Sequence, residues 1–115
     1  MRLTAIYAQL SCSDAEASTD WFTSLFNRAP DARPMKGLAE WHLGDAAGFQ
    51  LYRDAGNAGH GTLTLIVEDI RREQARLADA GRHPGEVLAG DFASLLRMHD
   101  PDGNLVVLAQ PEQAG

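Results

Sequence analysis

Glu40 and His42 stand two residues apart in the alternating stretch Leu38-Ala39-Glu40-Trp41-His42-Leu43. On an extended chain residues i and i+2 share a face, so this segment sets a carboxylate beside an imidazole, a pair able to take and return a proton near neutral pH. In such a site His42 would be the general acid or base, with Glu40, Arg97 or a tyrosine orienting the substrate or stabilising an oxyanion. The same spacing also describes a strand with two polar residues turned to water. The chain's single cysteine, Cys12, alternates with Ala8 and Leu10 on an apolar strand face and reads as inert packing that forms no internal disulfide. His83 and His99 lie beside turns and read as solvated.

Those residues must be held by one domain. A chain of 115 residues can bury a core without disulfides or a structural metal, and a hydrophobic fraction of 44% with 23% charged residues is ordinary for a globular protein. Its apolar runs fall short of the roughly 20 residues of a membrane span, and its first residues lead directly into strand-like sequence, so the expected location is the cytoplasm. A net charge of −6 with scattered arginines argues against nucleic acid as a partner.

The periodicity predicts eight strands and two helices. Residues 3–12 alternate as a strand, and Ser13-Asp14-Ala15-Glu16 has the spacing of a capping box opening a helix. Trp21, Phe22, Leu25 and Phe26 form that helix's buried stripe, and Asn27 can take the left-handed conformation that ends it. Pro30 and Pro34 confine the next segment to a short edge strand. Two further strands, Leu38–Leu43 and Phe49–Arg53, flank a turn, and Asp54–Gly61 is a connection rich in glycine and small residues. Thr62–Val67 is a β-branched strand, and Asp69 opens a second helix with Ile70, Leu77 and Ala78 inward and Gly81 at its end. Short segments near Val87, at Ser94–His99 and at Leu105–Leu108 complete the set.

The second half thus repeats the order of the first at a step of 55 residues, Leu10 to Leu65 and Asp45 to Asp100. The division predicted is one domain over 1–115, built from units 1–55 and 56–115. The turn Asp100-Pro101-Asp102-Gly103-Asn104, feeding an apolar strand and closing a βαβββ unit whose other copy has Asp45 and Gly48 at matching places, resembles the glyoxalase, bleomycin-resistance and extradiol-dioxygenase (vicinal oxygen chelate) superfamily. The resemblance covers nearly the whole chain. It implies an α+β fold in which two βαβββ units form a curled mixed sheet with a concave cup.

In metal-dependent members of that superfamily, histidines on the first strand and glutamates on the last strand of each unit hold the ion. Counted from the matched aspartates, those positions fall at Tyr7, Tyr52, Thr62 and Val107, a set unable to hold a divalent centre of the usual kind. His60, two residues from Thr62, could restore one ligand but not the site. The expectation is therefore no metal and no cofactor, with both tyrosines of the chain meeting inside the cup. Alternation adds Gln9, Gln50 and Thr64 to that face, Leu105 and Val107 as an apolar wall, and Glu40, His42, Leu95 and Arg97 from the neighbouring strands, the composition of a small-molecule site. The resemblance also implies a homodimer.

The reading that follows is a metal-independent protein binding a small organic molecule, by analogy a drug or metabolite. Its rivals are a metal-free lyase or isomerase-type enzyme using His42, a metal-dependent enzyme with an atypical site, and an interaction module with a degenerate cup. A ferredoxin-like α+β dimer is the rival fold, and it leaves the segments near Leu95 and Leu105 unexplained.

Overall fold

The computed structural model describes residues 1–112. The strands are β1 (Ile6–Cys12), β2 (Ala32–Met35), β3 (Leu38–Gly44), β4 (Ala47–Arg53), β5 (Thr62–Ile66), β6 (Leu88–Ala89), β7 (Ala93–His99) and β8 (Leu105–Pro111), with helices α1 (Ala15–Phe26) and α2 (Ile70–Asp79). They form two four-stranded mixed sheets, ordered β1-β4-β3-β2 and β5-β8-β7-β6. In each sheet the first strand runs parallel to the last, and the remaining pairs are antiparallel. This is the α+β, twice-repeated βαβββ arrangement expected from the sequence. The strand containing Pro34 is short and lies at a sheet edge, where a missing N–H is tolerated.

Helix α1 packs its stripe of Trp21, Phe22 and Leu25 on Trp41, Phe49 and Leu51 of the first sheet, with the rings of Phe22 and Phe49 stacked at 4.7 Å between centroids. Trp41 satisfies its indole N–H by donating to the carbonyl of Arg28 at 2.9 Å. Leu63, Ile70, Leu77, Leu96, Met98, Val106 and Leu108 extend the same cluster into the second half, so both units share a single continuous core.

Several local expectations need correction. The first strand begins at Ile6 rather than Leu3. Asp14, not Ser13, is the N-cap of α1, and its carboxylate accepts from the N–H groups of Glu16 and Ala17 at 3.1 Å. Ser13 is taken elsewhere: its N–H and hydroxyl both donate to Asp102 of the other unit. Ala78 is exposed, because the buried stripe of α2 is only Ile70 and Leu77 wide. Asn27 does end α1 with φ +55°, and Gly81, at φ +74°, follows the end of α2.

The Asp100–Asn104 turn is a junction between the halves. Asp100, 5% exposed, accepts from the N–H groups of Asp102 and Asn104 and from the Asn104 amide. Asn104 in turn donates to the Ser11 carbonyl and accepts from the N–H groups of Gly59 and Gly61, fastening the connecting segment to both units. At the other end of α1 no basic residue occupies its last turn. Arg76 and Arg82, reaching over from α2 and the segment after it, supply that charge and donate to the carbonyls of Leu25 and Asp20.

Candidate functional site

Each sheet has one face packed on the core and one face free of helices. On the first sheet the free face carries Tyr7, Gln9 and Ser11 from β1, Gly48, Gln50 and Tyr52 from β4, and Leu38, Glu40 and His42 from β3, since alternate residues of paired strands share a side. A hydrogen-bonded row crosses it. Gln9 donates to Gln50 at 3.0 Å, Gln50 donates to Glu40 Oε2 at 2.9 Å, and Glu40 Oε1 lies 2.9 Å from His42 Nε2. The ring of Tyr7 lies edge-on to His42, with centroids 6.3 Å apart, directly over Gly48.

The row has a defined electrostatic state. Hydrogen bonds from Gln50 first and His42 second hold the Glu40 carboxyl below its usual range, so it is ionised at neutral pH. Its side chain is 14% exposed, whereas that of His42 is 48% exposed. Behind it, the N–H of His42 donates to Asp31 at 2.6 Å, which with Arg28 holds that carboxyl low as well. Cys12, 1% exposed, is pushed in the opposite direction by burial and then by the charge of Asp102, so its thiol stays protonated at neutral pH.

The free face of the second sheet carries Thr62 and Thr64 from β5, Leu105 and Val107 from β8, and Leu95 and Arg97 from β7. Thr62, Thr64 and Arg97 are exposed, and Leu105, Val107 and Leu95 are half-buried. Arg97 makes no hydrogen bond or ion pair with another side chain among the described residues. His60, His83 and His99 are all exposed.

The register changes one of the matched positions. Tyr7 lies opposite Gly48 and Thr62 opposite Leu105, which makes Tyr7 and Thr62 equivalent, 55 residues apart. Two residues further along, Gln50 then matches Val107, and across the next strand Glu40 matches Arg97, both at a step of 57. The extra two residues lie between β5 and β7, because Thr62 to Arg97 spans two residues more than Tyr7 to Glu40, while the hairpins from Glu40 to Gln50 and from Arg97 to Val107 are equal in length. Tyr52 therefore falls outside the equivalent set. It pairs with Ser11 and Leu38, four residues from Gly48, so it shares the face of Tyr7 but sits about 13 Å further along the strand. The two phenols do not meet.

The corrected set, Tyr7, Gln50, Thr62 and Val107, offers a phenol, an amide, a hydroxyl and an isopropyl group. These residues do not fit a divalent ion of the kind held by imidazoles and carboxylates. Among the described residues no cluster of three or more His, Cys, Asp and Glu could hold one.

What the sequence did not reveal is Asp31 behind His42, the contacts of the turn residues Asp102 and Asn104 with the other unit and the connecting segment, and Arg76. Each acts through a contact distant in sequence or with a backbone group, and neither leaves a local pattern.

A twice-repeated βαβββ unit with one helix-free face per sheet defines a class of fold. Comparison with solved structures places the chain in the glyoxalase and bleomycin-resistance fold. It is similar to a glyoxalase/bleomycin resistance protein from Catenulispora acidiphila DSM 44928, with 23% identity and a TM-score of 0.87 over 95% of this chain and 99% of that one. It is also similar to a lactoylglutathione lyase from Agrobacterium tumefaciens (15% identity, TM-score 0.75, 91% of each chain). A bleomycin-binding protein solved with bleomycin matches at 17% identity and a TM-score of 0.71, over 93% of this chain and 98% of that one. No protein-family model and no curated protein matches the sequence.

Proposed function

We propose that this chain is a metal-independent small-molecule-binding protein that acts as a cytoplasmic homodimer and takes an organic ligand against the helix-free faces of its two units. The observation that carries the reading is the row Gln9-Gln50-Glu40-His42 under the edge of Tyr7. It gives a fixed set of donors and acceptors beside an aromatic ring, and of these Tyr7 and Gln50 stand at positions where metal-binding relatives of this fold would need ion ligands. Thr62, Thr64, Arg97, Leu105 and Val107 supply the facing wall, and Tyr52 extends the first face along the strand. In a single chain Tyr7 is 40% exposed. Burying most of a ligand therefore requires a second wall, and a partner chain would provide it. The structural likeness to a bleomycin-binding protein supports the general mode of action, while the ligand itself follows from side chains rather than fold.

The Glu40–His42 contact favours a second reading, a metal-free enzyme in which His42 moves a proton. The two are separated by one experiment. A metabolite library is screened by thermal shift with and without EDTA, and the hits are incubated with the protein and analysed for turnover. Stabilisation that survives EDTA, is lost in Tyr7→Ala and leaves the hit unchanged supports binding. Conversion of the hit that is abolished in His42→Gln supports the enzyme, and stabilisation that requires added divalent metal overturns both.

A further inference from the structure

Glu40 and Arg97 occupy the same position in their respective sheets. Glu40 on β3 pairs with Gln50 of β4, two residues beyond the partner of Tyr7, and Arg97 on β7 pairs with Val107 of β8, two residues beyond the partner of Thr62. The pseudo-symmetric site is therefore inverted in charge, with a carboxylate on one wall and a guanidinium on the other. Between them the equivalent pairs are neutral: Gln50 and Val107, Gln9 and Thr64, Tyr7 and Thr62.

Both charges are left without a fixed counter-charge. The two oxygens of Glu40 are engaged by the Gln50 amide and the His42 ring, and no arginine or lysine reaches them among the described residues. Arg97 has no carboxylate partner there; among the described residues Arg28 and Arg76 are the arginines that form ion pairs, with Asp31 and Glu73. A wall carrying one unneutralised charge attracts its opposite from the ligand and disfavours the same sign.

From this we infer that the ligand is dipolar, with a cationic group such as an amine directed toward Glu40 and an anionic group such as a carboxylate directed toward Arg97, joined by an uncharged body lying over Tyr7 and Val107. The inference rests on the reading that the two free faces line one site, and it specifies what that site selects. The two sheets approach each other at β1 and β5, and Glu40 and Arg97 each lie two strands in from there, which favours a ligand whose charges sit farther apart than those of an α-amino acid.

The test uses ω-amino carboxylates of increasing chain length, from 5-aminopentanoate to 11-aminoundecanoate, each compared with the alkylamine and the alkanoate of equal length. Binding is followed by amide chemical-shift changes of the full chain. The expected result is a preferred length at which the amino carboxylate binds about fivefold more tightly per added charge than either singly charged analogue. Glu40→Gln should abolish the advantage over the alkanoate and Arg97→Gln the advantage over the alkylamine, with both variants giving the dispersed amide spectrum of the folded parent. Equal affinity for all three probe types, or perturbation of Tyr7 by neutral aromatic fragments with no preference for charge, overturns the dipolar ligand and leaves the binding function standing. A partner-chain ion pair between Glu40 and Arg97, seen as weakened dimerisation in either variant and restored by exchanging the two charges, also overturns it. No perturbation of either face by charged probes or neutral fragments overturns the binding function together with the inference.

Discussion

The ring of Tyr7 occupies the space that a side chain on Gly48 would fill: a Cβ there would lie 2.7 Å from both Cδ2 and Cζ of the phenol. The parallel register that sets Tyr7 opposite Gly48 thus fixes the ring against the sheet and directs its edge toward His42.

Gly48→Ala should therefore displace the phenol. Overpacking of this kind costs about 1–3 kcal/mol, offset in part by the lower chain entropy of alanine in the unfolded state, about 0.4–1 kcal/mol. In a Tyr7→Ala background the clash is gone, and Gly48→Ala should become neutral or stabilising. Urea denaturation of the four proteins in this cycle measures the coupling, and additive effects would show that the ring is not held there.

The Asp102 carboxylate accepts from the N–H and hydroxyl of Ser13 and from the hydroxyl of buried Ser18, bridging the two units. Asp102→Ala should destabilise by about 1.5–3 kcal/mol, the range for hydrogen bonds to a charged group. Ser13→Ala, which leaves the Ser13 N–H bond in place, should cost less. Equal losses in the two variants would locate the effect in the hydroxyl alone.

Most of the scaffold was legible because its signals are local. Alternation located the strands, Pro34 marked an edge, the aromatic stripe gave α1 its buried face, and Asn27 marked its end. The site was legible face by face for the same reason: Glu40 and His42 do share a side, as do Tyr7, Gln9 and Gln50. The sequence match failed in register. Asp45 resembles Asp100 in residue class, but the second unit carries two extra residues between β5 and β7, so Asp45 corresponds to Asp102 and the alignment carried Tyr52 into a place that belongs to Gln50. Ser13 and Asp14 are both competent caps, and only the distant Asp102 decides between them. Contacts of that range have no periodicity to betray them.

Glu40 and Asp31 both have carboxyl groups held low, by the amide of Gln50 and by the N–H of His42 respectively. For such groups the folded state favours the ionised form. Their contribution is present above the unfolded carboxylate range and disappears as pH falls through the lower folded values. The melting temperature should accordingly drop on acidification from about pH 5 toward pH 2, where carboxylates titrate. Glu40→Gln with Asp31→Asn should flatten that slope, and an unchanged slope would assign the acid transition to other groups.

Arg76 closes the opposite end of the interface between the units. Its guanidinium donates to the carbonyls of Ser24 and Leu25 at the end of α1 while holding Glu73 at 2.8 Å, and a side chain about one-quarter exposed is well placed for all three. The planar fork matters more than the charge here, because an ammonium cannot reach two carbonyls and a carboxylate with the same geometry. Arg76→Ala should cost about 1–3 kcal/mol, with Arg76→Lys recovering less than half of the loss. Loss of the cap should also speed amide hydrogen exchange in the last turn of α1, around Thr23–Asn27, while the amides of β1 and β4 keep their protection relative to global unfolding. If Arg76→Lys behaves like the parent in both measurements, the charge alone caps the helix and the fork contributes nothing.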